Sequence, residues 1–174
     1  PLVSSSAASD VYKRQQKHIV KLKLDSSKKI LFYPAQFWPH KNHKYIIDAL
    51  DVMVNELNNK DYHVIFCGYD KFDHLSFLKN QINERKLSNY FTFFDYLEDE
   101  EIIAIYLNSH ALVMPTFVGH YSLPLFESFY FKIPAFFTKD LLDESLTKYV
   151  YEIDTKIPSD LAKKLLELKS KKMR

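Results

Sequence analysis

Short apolar runs alternate with longer segments whose apolar residues recur at helical spacing, and this alternation restricts the fold more than any other feature of the chain. Ile30 to Gln36 (ILFYPAQ) is short, apolar and aromatic, so it reads as a strand. Lys44 to Leu57 places Ile46, Leu50, Met53 and Leu57 on one stripe of a helix. Tyr62 to Cys67 (YHVIFC) is a second strand, stopped by Gly68. Phe72 to Lys86 is an amphipathic helix with Leu75, Leu78 and Ile82 on one face. Tyr90 to Tyr96 is a third strand, and Asp99 to Leu107 a helix with Glu98, Asp99, Glu100 and Glu101 at its positive end. Ala111 to Met114 is a fourth strand, Pro124 to Phe131 a short helix, and Pro134 to Phe137 a fifth strand. Ser159 to Lys169 closes the pattern, with Leu161, Leu165 and Leu168 facing inward.

Fully apolar strands alternating with helices indicate a parallel sheet covered on both faces. Right-handed crossovers make that an α/β, Rossmann-like doubly wound domain. Ligands in such sheets bind at the carboxyl ends of the strands. The loops of interest are therefore Phe37 to His43, Gly68 to Lys71, Leu97 to Asp99, and Pro115 to Leu123. Glycine occurs only at Gly68 and Gly119, so neither G-x-G-x-x-G nor a P-loop can be present. Twenty-four basic residues stand against 22 acidic ones, which argues against a nucleic-acid partner. No run of about 20 apolar residues and no secretory pattern occurs. A single cysteine, Cys67, excludes an internal disulfide and points to a reducing compartment. A cytoplasmic protein is expected, with Cys67 a buried small hydrophobe.

Residues 1–15 do not share the pattern. Ser5 to Gln15, SSAASDVYKRQ, resembles the in-frame translation of a transposon-library sequencing adapter. The expectation is that 1–15 is disordered and not native, and that 16–174 is one domain. The alternative is a natural tail or signal-peptide remnant. The basic run Lys163 to Arg174 reads as a solvated helix face and frayed end, with contact at an anionic membrane surface as the alternative.

Two loops carry candidate chemistry. Tyr33 to His43, YPAQFWPHKNH, leaves a strand and enters a helix. Lys41 at that helix start and the adjacent backbone N–H groups can converge on a phosphate, or Lys41 can simply be solvated. Pro115 to Glu127, PTFVGHYSLPLFE, also follows a strand. Gly119 permits backbone conformations that other residues resist. Ser122 is a candidate cap and Pro124 suits the first helical position. The N–H groups of Leu125 and Phe126 are then expected to be unpaired. Glu127, expected in the first helical turn, is either a dipole-favoured carboxylate or an acceptor for a vicinal diol such as a ribose. His120 reads as a polar loop residue able to reach a sugar or phosphate. His40 and His43 lack a third ligand at metal spacing. Phe37 and Trp38 read as loop packing.

These two segments resemble the main C-domain motifs of retaining GT-B glycosyltransferases of family 4, the glycosyl transferases group 1. The first matches Y-P-A-Q-x-x-x-H-K-N, and PTFVGHYSLPLFESFYFKIP resembles P-T-x-x-G-x-x-x-x-P-x-x-E-A followed after about five residues by a proline, with Ser128 in place of the final alanine. FCGYD and F-x-F-x-D-Y-L-x-D-E-E lie between them in the family order, and the resemblance covers Ile30 to Ala162.

The resemblance implies a hexosyltransferase-type enzyme that takes a sugar from a nucleoside diphosphate sugar with retention, without a metal. Lys41 matches the residue at the donor diphosphate, and Glu127 the second glutamate of a Glu–seven residues–Glu motif that holds ribose hydroxyls. Leu123 and Pro124 fall where the backbone meets the phosphates, and Tyr96 and Leu97 in the loop that lines the base. The motif's first glutamate falls on Gly119, and the arginine usual five or six residues before the lysine falls near Gln36 or Ala35. The implied partners are a nucleotide sugar and a missing N-terminal acceptor domain; the parent is expected in the cytoplasm, with the inner membrane face as the alternative. This chain alone is expected to be inactive. The rival readings are a non-catalytic nucleotide-sugar-binding module, another GT-B activity, or an unrelated signalling Rossmann domain.

Overall fold

A computed structural model describes residues 22, 25, 27–119 and 122–168. Pro1 to Gln15, His120 and Lys169 to Arg174 lie outside the described residues. Six strands form one sheet: β1 (Lys29–Pro34), β2 (Tyr62–Cys67), β3 (Phe91–Phe94), β4 (Ser109–Met114), β5 (Ala135–Thr138) and β6 (Tyr151–Ile153). Their order is β3-β2-β1-β4-β5-β6 and every pairing is parallel. The strand order reverses between β1 and β4, so the loops leaving these strands diverge and open a crevice at their carboxyl ends.

The connecting helices are α1 (His43–Asp51), α2 (His74–Glu84), α3 (Asp99–Asn108), α4 (Leu123–Tyr130), α5 (Glu144–Thr147) and α6 (Pro158–Glu167). α1 packs against α2 and α6, while α3 crosses β1. Tyr106 of α3 stacks on Phe131 just beyond α4, with ring centroids 5.1 Å apart. The sheet is thus covered on both faces, which is why its central strands are apolar along their length. Leu31, Phe32 and Tyr33, Val64, Ile65 and Phe66, Leu112 and Val113, and Phe136 and Phe137 are all buried.

Two departures from the periodic reading have local causes. The first helix becomes a π-helical turn over Val52–Glu56. The wider turn rotates the apolar stripe. Leu57, expected on that stripe, is therefore 49% exposed, while Met53 stays buried. Beyond β5 the chain adds α5 and a sixth strand that the periodicity did not reveal. β6 has only three residues and buries only Ile153 fully, too short a span for alternation to register.

Candidate functional site

The loop after β1 is held from three sides. Pro39 begins a 3-10 turn over Pro39–Lys41, with the Lys41 N–H donating to Trp38 O at 2.9 Å and the Asn42 N–H to Pro39 O at 3.0 Å. Asn42 adopts a left-handed conformation, φ 55°, which asparagine tolerates better than most residues. Its side chain donates to Pro115 O at 3.1 Å, tying this loop to the exit of β4. Tyr33 OH donates to Lys41 O at 2.9 Å. From the opposite loop, the Phe117 N–H donates to His40 O at 2.8 Å. The sequence reading placed Lys41 at the helix start; it stands just before Asn42, the N-cap of α1.

Beneath the loop lies His43, fully buried among Tyr33, Phe37 and Phe66 at centroid distances of 4.8, 5.0 and 4.9 Å. Neither ring nitrogen makes a hydrogen bond of good geometry, the Ala35 backbone being the neighbouring polar group. Burial pushes its pKa down to about 3, against an opposing pull from the Ala35 backbone. The ring is neutral at ordinary pH and acts as an aromatic filler. Gly68 completes the support. A Cβ there would meet Ala35 O at 2.2 Å and Gln36 Cα at 2.8 Å, so only glycine lets the end of β2 approach the β1 loop this closely.

A cavity of about 290 Å³ opens above this loop, lined by Gln36, Trp38, Lys41, Met114, Ser122 and Pro124. It sits at the sheet's switch point. Among the described residues, no ion pair engages the Lys41 ammonium.

The opposite wall is α4, and here the structure corrects several expectations. Ser122 is the N-cap residue, but its side chain caps nothing. Leu123, not Pro124, is the first helical residue. The Leu125 and Phe126 N–H groups are not orphaned; both approach Ser122 O, at 3.0 and 3.5 Å. Pro124 has no N–H, so within this first turn Leu123 is left as the backbone donor for a ligand. Glu127 is the fifth helical residue and lies in the second turn, where the helix dipole favours a carboxylate less.

Glu127 instead faces a second cavity of about 530 Å³ between α3 and α4, lined by Asp99, Ile102, Tyr106, Leu123, Phe126 and neighbouring residues. Tyr106 OH donates to Glu127 Oε2 at 2.7 Å. Burial first, and then this carboxylate, push the Tyr106 pKa well above the usual phenol range. Leu123 lines the larger cavity, and Ser122 and Pro124 line the smaller. The first turn of α4 is therefore the partition between a lysine-bearing and a carboxylate-bearing cavity.

The other candidates separate. Tyr96 is 73% exposed at the rim, its hydroxyl 3.4 Å from Glu98 Oε2. The Leu97 side chain is turned into the core, leaving its backbone to the loop. Gly119 has φ +101°, a conformation that side-chain-bearing residues rarely adopt. His120 is outside the described residues. Phe37 is buried in the core, whereas Trp38 packs on His40 and Phe72 at 5.3 and 6.4 Å. Among the described residues, no three His, Cys, Asp or Glu side chains gather as metal ligands, and no helix is long and apolar enough to cross a membrane. The sequence reading missed Tyr106, while Trp38, read as loop packing, does pack within its loop. For Tyr106 the only signal was a hydroxyl in the apolar run Ile102 to Leu107 of its helix.

Residues 14–173 match the family described as glycosyl transferases group 1. No curated protein matches the chain in sequence. Three of the solved structures that share its fold come from Rickettsia, Francisella and Anabaena. A glycosyltransferase from Rickettsia africae ESF-5 is 18% identical with a TM-score of 0.75, the match covering 89% of this chain and 41% of that one. The C-terminal domain of the group 1 protein LpcC from Francisella tularensis is 19% identical with a TM-score of 0.72, covering 88% and 81%. Alr3699/HepE from Anabaena, solved in complex with UDP and glucose, is 16% identical with a TM-score of 0.71, covering 90% and 41%. The chain thus spans less than half of the Rickettsia and Anabaena proteins and most of the isolated Francisella domain.

Proposed function

The chain belongs to the family of glycosyl transferases group 1, and from that premise we propose that it is the donor-binding domain of a retaining GT-B enzyme of family 4. The observation that carries this reading is the partition at α4. A cavity with an unengaged lysine and a cavity with a carboxylate meet across one helical turn, at the switch point of a doubly wound sheet. A nucleoside diphosphate has that division of chemistry: an anion on one side, a hydroxyl-bearing ribose on the other.

In this reading Lys41 and the Leu123 N–H receive the diphosphate, and their charge stabilises it as it leaves the sugar. Because the Leu125 and Phe126 N–H groups turn back to Ser122, Lys41 carries more of that work than the helix terminus does. Glu127 accepts the ribose hydroxyls, Tyr96 borders the base, and Gln36 and Gly119 flank the phosphate and sugar. The donor is a nucleotide sugar of the hexosyl class, and no metal takes part. A second Rossmann-like domain of the parent supplies the acceptor site, in the cytoplasm or at the inner membrane face. The chain alone binds without transferring. Gly119, in the place of the motif's first glutamate, favours a second reading as a binding module without turnover; sugar transfer by a two-domain parent separates the two.

The test is calorimetric titration of wild type, Lys41→Arg and Lys41→Ala with UDP and with uridine, and likewise with the adenine and guanine pairs. Lys41→Ala should weaken diphosphate binding by roughly tenfold or more, as expected for a lost charge-assisted hydrogen bond. Lys41→Arg should keep part of it, since a point charge suffices. Nucleoside binding should barely move. The loss should shrink in high salt, where a partly exposed contact is screened within about 8–10 Å. Equal losses for diphosphate and nucleoside would place the phosphate elsewhere.

A further inference from the structure

Glu127 does not stand alone. Its Oε2 accepts from Tyr106 OH at 2.7 Å, and Tyr106 is itself immobilised. The tyrosine ring is fully buried, stacked on Phe131 at 5.1 Å with an interplanar angle of 14°, and set edge-on to Phe32 at 5.0 Å and 80°. Phe32 lies in β1 and is fully buried in the sheet. A rigid path therefore runs from the central strand through the Tyr106 ring to the carboxylate in the larger cavity. An unrestrained glutamate would lose rotamer freedom on meeting a ligand, and holding it beforehand removes that loss.

We propose that Tyr106 is a positioning residue for the candidate ligand site. It fixes the Glu127 carboxylate through Oε2 and leaves Oε1 facing the cavity to accept from a vicinal diol. The proposal rests on the nucleotide reading above and deepens it. A carboxylate has about four acceptor positions, so one bond from Tyr106 leaves room for two ligand hydroxyls. A phenol O–H donates here while the carboxylate stays an acceptor, so the pair selects ligands that donate. A ribose 2′,3′-diol does so; its dideoxy counterpart cannot.

The experiment uses the full chain as wild type, Tyr106→Phe, Glu127→Ala and the double variant. Each is titrated with UDP, ADP and GDP and with the 2′,3′-dideoxy form of each, and each is melted. Tyr106→Phe keeps both ring contacts and removes one oxygen. It should weaken the ribonucleotide about fivefold or more, in the range found for directly coupled residues. It should leave the dideoxynucleotide within about twofold. In the Glu127→Ala background the same change should cost less than about twofold, because the carboxylate it positions is gone.

A ribonucleotide loss matched by the dideoxynucleotide, or one that adds fully to Glu127→Ala, would show that Tyr106 serves packing alone and overturn the proposal. A Tyr106→Phe chain that no longer melts cooperatively would overturn it as well, since the hydroxyl would then belong to the core. If wild type binds none of the six ligands, the nucleotide reading itself falls and takes this assignment with it. That result is distinct from one in which wild type binds and Tyr106→Phe fails to discriminate.

Discussion

His43 sits one residue past Asn42 and shows how a polar residue can be spent on packing. It is neutral among three aromatic rings, with a pKa pushed down to about 3 against an ordinary value of 6.5. The unfolded chain binds the proton between those two values and the native chain does not. The stabilisation is therefore complete above about pH 6.5 and is lost as pH falls toward 3. One such group contributes a slope of up to about 1.4 kcal/mol per pH unit. His43→Phe, which suits an aromatic setting, should flatten the fall of stability between pH 6.5 and 4 in urea melts. An unchanged slope would put the titration on another histidine. Glu127 makes the complementary case. Glu127→Ala should leave the fold intact while weakening ribonucleotides by at least about tenfold, from charge-assisted bonds of about 1.5–3 kcal/mol each. Paired titrations with ribo- and dideoxynucleotides read this directly, and equal losses would reduce Glu127 to a scaffold residue. The segments that carry Lys41 and Glu127 were legible in the sequence, though Glu127 lies in the second helical turn and not the first. The burial of His43 was not, because HKNH reads as a polar turn until the chain folds Phe37 and Phe66 over it.

Elements set the approach of one loop to another. β2 ends where Cys67 pairs with Pro34 and Phe94, and the next residue, Gly68, lies against the Ala35 backbone. Gly68→Ala would force Ala35 and Gln36 away from the cavity they line. Overpacking of this kind costs about 1–3 kcal/mol. The expected outcome is a lower urea midpoint together with weakened UDP binding; a lower midpoint with unchanged binding would mean that the loop moves as a rigid unit. The sequence marked Gly68 as the stop of a strand, and only the neighbouring strand reveals why it must be glycine. α4 teaches the reverse lesson. Pro124 signalled a helix start correctly, yet the start lies at Leu123, and that shift of one residue closes the Leu125 and Phe126 N–H groups onto Ser122. Boundary errors of a single residue are invisible to periodicity, and they change which donors a ligand can use.

At the scale of the molecule, one sheet and one continuous core run from β3 to β6. The chain should therefore melt as a single cooperative unit. UDP at about a hundred times its Kd should stabilise it by about 2.7 kcal/mol and raise its Tm. A melt that UDP leaves unmoved, at concentrations saturating the Lys41 site by calorimetry, would mean that unfolded chains bind equally well.

A parallel, doubly wound α/β domain was already implied by the amino-acid pattern, because burial on both faces demands strands that are apolar throughout. That pattern also indicated which loops reach the carboxyl rim, and with them the neighbourhood of Lys41 and of the helix that carries Glu127. Only the tertiary structure decided what those residues touch. Tyr106 and Glu127 lie 21 residues apart, on helices separated by β4. Their hydrogen bond depends on the packing angle of α3 against α4, which follows from the side chains between them. The short edge strand β6, the π turn that expels Leu57 and the fit of Gly68 against Ala35 are likewise settled by neighbours distant in sequence, because packing acts through space and periodicity only along the chain.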